Sequence, residues 1–158
     1  MVERDRSTVI MSIRPQYADA LMDGTKRWEF RRQPLPDGVQ WILVYRSGAK
    51  DGRGVVGRLR VIGQDTAPCW MWGSGPCSRG YGHTRPDPLF GISIDDLADY
   101  ADREHGQLSA RVTGISVHVE ERFPEAVPLA AYGLSRPPQS WCYAPVGWRS
   151  IQGPWHVA

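Results

Sequence analysis

Lys26, Glu29 and Arg31 bring an ammonium, a carboxylate and a guanidinium together just after Gly24. Glu29 and Arg31 lie two apart in the alternating stretch Arg27-Trp28-Glu29-Phe30-Arg31, so they point the same way. Trp28 and Phe30 take the opposite, core face. A carboxylate so placed can accept hydrogen bonds from the amino edge of a base, as carboxylates do with cytosine. A guanidinium beside it can fork to a phosphate or stack on a base. Lys26 can meet a phosphate, or form with Glu29 a general acid–base couple able to move a proton from a ribose hydroxyl. These two are therefore the candidate catalytic residues. Of 19 basic residues only Lys26 and Lys50 are lysines, and a lysine against that background suggests a need for a compact, mobile ammonium. The plainer alternative is a surface ion-pair cluster that adds little to stability.

Other residues widen the list. Ser47 and Ser140 offer hydroxyls, and Tyr17, Tyr45 and Trp141 offer rings on which a base could stack, a contact of about 1–3 kcal/mol. Trp28 and Trp41 read as core, while Trp70 and Trp72 read as packing for the loop that holds them. His83, His105, His118 and His156 are scattered and fall in no motif. Cys69, Cys77 and His83 share one stretch, but no C-x-x-C pair exists and the spacing is not a common zinc pattern. No metal and no cofactor are expected. The three cysteines, an odd and low count, also argue against a disulfide scaffold.

The elements that must position these groups follow from pattern. Residues 7–13 read as a strand with Val9, Met11 and Ile13 on the core face. Pro15 opens a helix at its first position, and Gly24 stops it. Strands follow over 27–31, 41–45 and 55–62, with a hairpin loop over 47–54. Residues 66–91, which hold Pro68, Pro76, Pro86 and Pro88 with Trp70, Trp72 and Tyr81, read as a long irregular insertion. A second helix starts at Ser93, with Asp96 completing a capping pair, and ends at Gly106. Residues 111–123 are strand material, with a bulge expected at Gly114. The strands are not separated by regular helices, so a doubly wound parallel sheet is disfavoured. The expected class is α+β, mainly β: a small, mostly antiparallel barrel with two or so flanking helices.

The 158 residues favour a single domain over 1–158. No apolar run reaches the roughly 18 residues of a membrane span, and the acidic start of the N-terminus does not resemble a secretion signal. A cytoplasmic protein is the expectation. Net charge is only +2, so the chain is no polycation. Residues 1–65 hold 12 basic and 8 acidic side chains (+4), and residues 66–158 hold 7 and 9 (−2). That asymmetry points to a basic face from the N-terminal half. Oligomeric state is not legible.

Ser12-Ile13-Arg14-Pro15-Gln16-Tyr17-Ala18, followed by Gly24-Thr25-Lys26-Arg27-Trp28-Glu29-Phe30-Arg31-Arg32, resembles the signature of the ASCH domain family, whose heart is G-x-K-x-x-E-x-R. Tyr45-Arg46-Ser47, Val55-Val56-Gly57, Gly91-Ile92-Ser93 and Pro137-Pro138-Gln139-Ser140-Trp141 resemble its later landmarks in order. The resemblance implies a PUA-like β-barrel that binds RNA or a modified nucleobase. The implied binding residues are Arg14, Tyr17, Gly24, Lys26, Glu29, Arg31, Tyr45, Ser47, Gln139, Ser140 and Trp141, and the implied partner is RNA or a nucleotide. The alternative it carries is an enzyme, either an RNA nuclease or a nucleoside amidohydrolase, using Lys26 and Glu29. In the amidohydrolase members the slot of Glu29 holds a threonine nucleophile, so a carboxylate there disfavours amide hydrolysis through a threonine ester.

Overall fold

The computed structural model describes residues 2–48, 53–72 and 91–151. Among these residues six strands appear: β1 (Arg4–Ile13), β2 (Trp28–Arg31), β3 (Trp41–Arg46), β4 (Gly54–Pro68), β5 (Arg111–Val127) and β6 (Trp141–Pro145). The α-helices among the described residues are α1 (Pro15–Asp23), α2 (Cys69–Trp72) and α3 (Ile94–Ala101). Short 3₁₀ turns occupy Leu129–Tyr132 and Trp148–Ile151. The strands bond in the order β2-β5-β4-β3-β1-β6. β1 runs parallel to β3, whereas β1–β6, β2–β5 and β3–β4 are antiparallel. The α+β class holds. The barrel does not: among the described residues β2 and β6 end the order unpaired with each other, so the sheet is mixed and open-ended.

The local signals explain most element ends. Pro15 sits in the first turn of α1, where its missing N–H leaves no orphan donor. Gly24 ends the helix at φ 84° and donates its N–H to the Leu21 carbonyl, a left-handed cap that side chains resist. Ser93 caps α3 by accepting from Asp96 N at 3.1 Å. The helix stops at Ala101 rather than at Gly106, because Asp102 turns the chain and takes the His105 and Gln107 amides on its carboxylate.

Three expectations change. Val9, Ile10 and Met11 are all fully buried, so β1 is covered on both faces, as befits an inner strand with a parallel neighbour. The expected irregular stretch 66–91 begins as the end of β4 and continues as α2; residues 73–90 lie outside the described residues. The register of β2 on β5 runs unbroken from Trp28↔Ser116 to Arg31↔Thr113, so Gly114 makes no bulge against β2. It is needed for another reason: a Cβ there would meet the Trp72 ring at 2.5 Å.

By its contacts the chain divides into two compact units. The first comprises Met1–Gly24, Pro36–Val61 and His118–Ala158. Its core gathers Ile10, Leu43, Tyr45, Val55, Val127, Tyr132, Ala144 and Trp148. The second comprises Thr25–Leu35 and Ile62–Val117. Its core gathers Phe30, Cys69, Leu97, Ala98, Leu108 and Val112, with Trp28 and Trp72 packed against them. β4 and β5 contribute to both units.

Candidate functional site

Lys26, Glu29 and Arg31 converge in the second unit. Lys26 lies in the turn between Gly24 and β2, and Glu29 and Arg31 lie on β2 itself. Lys26 Nζ is 3.1 Å from Glu29 Oε1, and an Arg31 terminal nitrogen is 3.1 Å from Glu29 Oε2. Each carboxylate oxygen therefore has its own cation. The Phe30 amide also donates to Glu29 Oε1 at 3.2 Å. Lys26 Nζ donates in addition to the Trp28 carbonyl and lies 5.7 Å from the centre of the Phe30 ring.

The polar face expected on β2 is not a solvent face. Lys26 is 2% and Glu29 6% exposed, as covered as Phe30 at 6%. Arg31 is the most open of the three, its side chain 14% exposed. A buried carboxylate is tolerable only when paired and hydrogen-bonded, and Glu29 meets both conditions. Burial pushes its pKa up, but Lys26 and Arg31 outweigh burial and hold the carboxyl below its ordinary value. For Lys26 burial prevails: it pulls the ammonium below its ordinary range against the attraction of Glu29, with Arg31 adding a small push the same way. The cluster is thus a buried, hydrogen-bonded network rather than the loose surface ion pair that spacing alone left open.

Neighbours that sequence reasoning missed complete the site. Gly91 takes φ 67° and closes on the Lys26 stem, so that a Cβ there would fall 2.6 Å from Lys26 Cγ. Thr113, fully buried, stands opposite Arg31 on β5, and its hydroxyl meets that of Thr66 at 2.8 Å. Trp72 lies edge-on to Trp28 and Phe30, with centroids 5.4 and 5.3 Å apart, and donates Nε1 to the Val112 carbonyl at 3.3 Å. Only Gly91 had a sequence signal, the glycine before a helix cap.

The remaining candidates belong to the first unit. Arg14 is exposed and supplies its carbonyl to the Tyr17 and Ala18 amides at the start of α1. Tyr17 is half-buried, and Gly24 is the cap already described. Ser47 donates both its amide and its hydroxyl to the Ile13 carbonyl. The Ser140 carbonyl accepts from Ser12 N at 2.9 Å, and Gln139 and Ser140 are exposed. Trp141 is half-buried, edge-on to Tyr143 at 5.2 Å. Arg14, Ser47, Gln139 and Ser140 therefore gather near the C-terminal end of β1. Tyr45 does not offer a stacking face: it is 2% exposed within the core of its unit, because β3 is an inner strand covered on both sides. Among the described residues no group of three metal-ligating side chains occurs. Cys69 is buried, Cys142 is half-buried, and Cys77, His83 and His156 lie outside the described residues.

No protein-family model matches the chain, and no curated protein matches it. Solved structures do. The chain is similar to ASCH from Zymomonas mobilis, with a TM-score of 0.68 and 22% identity over 93% of this chain and 94% of that one. It is likewise similar to a serine-to-alanine variant of that protein, at TM-score 0.63 and 21% identity over 89% of each chain. A tyrosine-to-phenylalanine variant gives 0.62 and 18%, over 87% of this chain and 89% of that one. At this identity the likeness establishes fold.

Proposed function

From its ASCH-domain fold and the buried Lys26–Glu29–Arg31 network, we propose that the chain is a cytoplasmic, single-domain module that binds RNA or a modified nucleobase. The observation that carries this reading is Glu29, a buried carboxylate gripped by two cations at 3.1 Å each. Such a network is costly to assemble and replaceable by apolar side chains where only stability matters. Its placement just after the chain turns out of α1 is better explained by a ligand. Arg31, the most open member, carries the guanidinium whose planar fork suits a phosphate. Glu29 can exchange one of its present hydrogen bonds for the amino edge of a base. An RNA or nucleotide partner belongs to this proposal.

The test is a titration of the whole chain with short RNAs and with free nucleosides. Binding is expected in the micromolar range or tighter and weakens as salt rises. Arg31→Ala should weaken it, and Lys26→Ala with Arg31→Ala should abolish it, with thermal unfolding followed alongside to show that both variants fold. Unchanged affinity in a folded double variant refutes the reading.

One observation favours a second reading. Lys26 is held below its ordinary pKa beside an ionised carboxylate, the arrangement of a general acid–base couple. That makes an RNA nuclease or a nucleoside hydrolase the alternative, with Lys26 and Glu29 catalytic. Turnover of RNA or of acetylated nucleosides that disappears in Glu29→Gln while binding persists supports it. Binding without turnover in the unaltered chain leaves the module.

A further inference from the structure

The first unit holds a basic and aromatic feature that the Lys26–Glu29–Arg31 network does not use. β6 ends the strand order, and its register against β1 jumps. Asp5 stands opposite Ala144, and the next pair is Val9 with Tyr143. Arg6, Ser7 and Thr8 lie between consecutive pairs and form a bulge, a device that re-aims side chains at sheet edges. Asp5 braces it. Its carboxylate accepts from the Ser7 amide at 2.9 Å, the Ser7 hydroxyl at 2.7 Å, the Thr8 hydroxyl at 3.2 Å and Trp148 Nε1 at 2.8 Å. The acid is thereby turned inward, while Arg4 and Arg6 on either side of it are exposed.

Arg6 lies over the Tyr143 ring, 5.2 Å from its centre, and Tyr143 meets Trp141 edge-on at 5.2 Å. Arg4 reaches the Tyr143 carbonyl at 3.4 Å. Both rings are half-exposed. We propose that Arg4, Arg6, Tyr143 and Trp141 form a strip that binds single-stranded nucleic acid, phosphates at the guanidiniums and an unpaired base against the rings. Charge and shape together select this occupant. Two outward guanidiniums flanking an inward-engaged Asp5 outnumber the one exposed acid beside them, Glu3, and call for an anion. Rings interleaved with those guanidiniums call for flat π-faces, the usual composition of a strand-tracking surface. An acidic peptide would answer the arginines and leave the rings unused. The strip lies in the unit that lacks Lys26, Glu29 and Arg31, so its test is independent of theirs.

The experiment titrates the whole chain with labelled single-stranded RNA and DNA of about a dozen nucleotides, within the usual site size, and with polyglutamate as a charge-only probe. Arg4→Ser with Arg6→Ser is expected to weaken oligonucleotide binding about tenfold or more and to lower the slope of log affinity on log salt by about 1.4, two phosphate contacts' worth. Tyr143→Leu is expected to weaken binding about fivefold, with a smaller change in salt slope. Circular dichroism confirms that each variant folds. Oligonucleotide affinities unchanged in both variants overturn the strip, as does polyglutamate binding as tight as oligonucleotide binding, which would assign the surface to an acidic protein. If Lys26→Ala with Arg31→Ala leaves oligonucleotide binding intact while the strip variants lose it, the strip stands and the reading of the buried network falls.

Discussion

Glu29 is a single carboxylate whose environment decides more than its own chemistry does. Removing one partner of a buried ion pair typically costs about 3–5 kcal/mol, whereas replacing the whole pair with apolar groups of similar volume is near neutral. Glu29→Gln, which leaves the Lys26 ammonium enclosed without its counter-charge, is expected to lose stability on that scale in a denaturant titration. Lys26→Met combined with Glu29→Leu is expected to recover most of the loss and to weaken nucleic-acid binding. A double variant as unstable as the single one would mean that packing, not charge, governs the site. Arg31, at the more open edge, should cost less than either when truncated.

At the scale of elements, the network depends on two backbone devices. Gly24 ends α1 and lets the chain swing into the turn that holds Lys26. Gly91, just before the cap of α3, rests on the Lys26 stem at positive φ. Gly91→Ala adds a methyl in contact with Lys26 Cγ and Cδ and strains the backbone. Its expected effect is a displaced ammonium: weaker nucleic-acid binding, and a Lys26 pKa that returns toward the ordinary lysine value, read by NMR titration of the labelled side chain. A merely structural glycine would lower the melting temperature and leave that titration where it was. In the other unit, Asp5 fastens the β1 bulge through four hydrogen bonds. Asp5→Asn is expected to lower the melting temperature and, by releasing Arg6 from Tyr143, to weaken oligonucleotide binding.

For the whole molecule, depressed carboxylates, Asp5 and Glu29 among them, shape the response to acid. Burial would raise the Asp5 pKa, but hydrogen bonds from Ser7, Trp148 and Thr8 bring it from 3.8 down to about 2. Glu29 also lies below its ordinary 4.5. A group whose pKa falls on folding contributes fully above its unfolded value and loses that contribution as pH drops toward the folded one. Stability is therefore expected to hold from neutrality to about pH 5 and to fall below it, with the part due to Asp5 lost between 3.8 and about 2. Equilibrium unfolding at stepped pH measures this, and Asp5→Asn should flatten the lowest limb. Lys26 acts in the opposite range. Its lowered pKa disfavours the charged form on folding, so its contribution to stability improves as pH rises toward 10.5. No described helix is long and apolar enough to cross a membrane.

Much of this was legible in the chain itself, because it follows from local rules. The start of α1 at Pro15, its stop at Gly24, the Ser93 cap and the positions of the strands depend on neighbours a few residues apart. The G-x-K-x-x-E-x-R spacing brought Lys26, Glu29 and Arg31 to one short turn and strand without any tertiary knowledge. What the spacing left open was whether those three face water, since alternation assigns faces but not what covers them. Among the described residues, long-range contacts such as Gly91 on Lys26 and the pairing of Thr113 opposite Arg31 help to enclose the network. Tyr45 moved into the core for the same reason: β3 lies between β4 and β1, an order that no local pattern encodes. Strand order, the β1 bulge and the burial of ionic groups arise from pairings between residues far apart in the chain, and local periodicity carries no information about them.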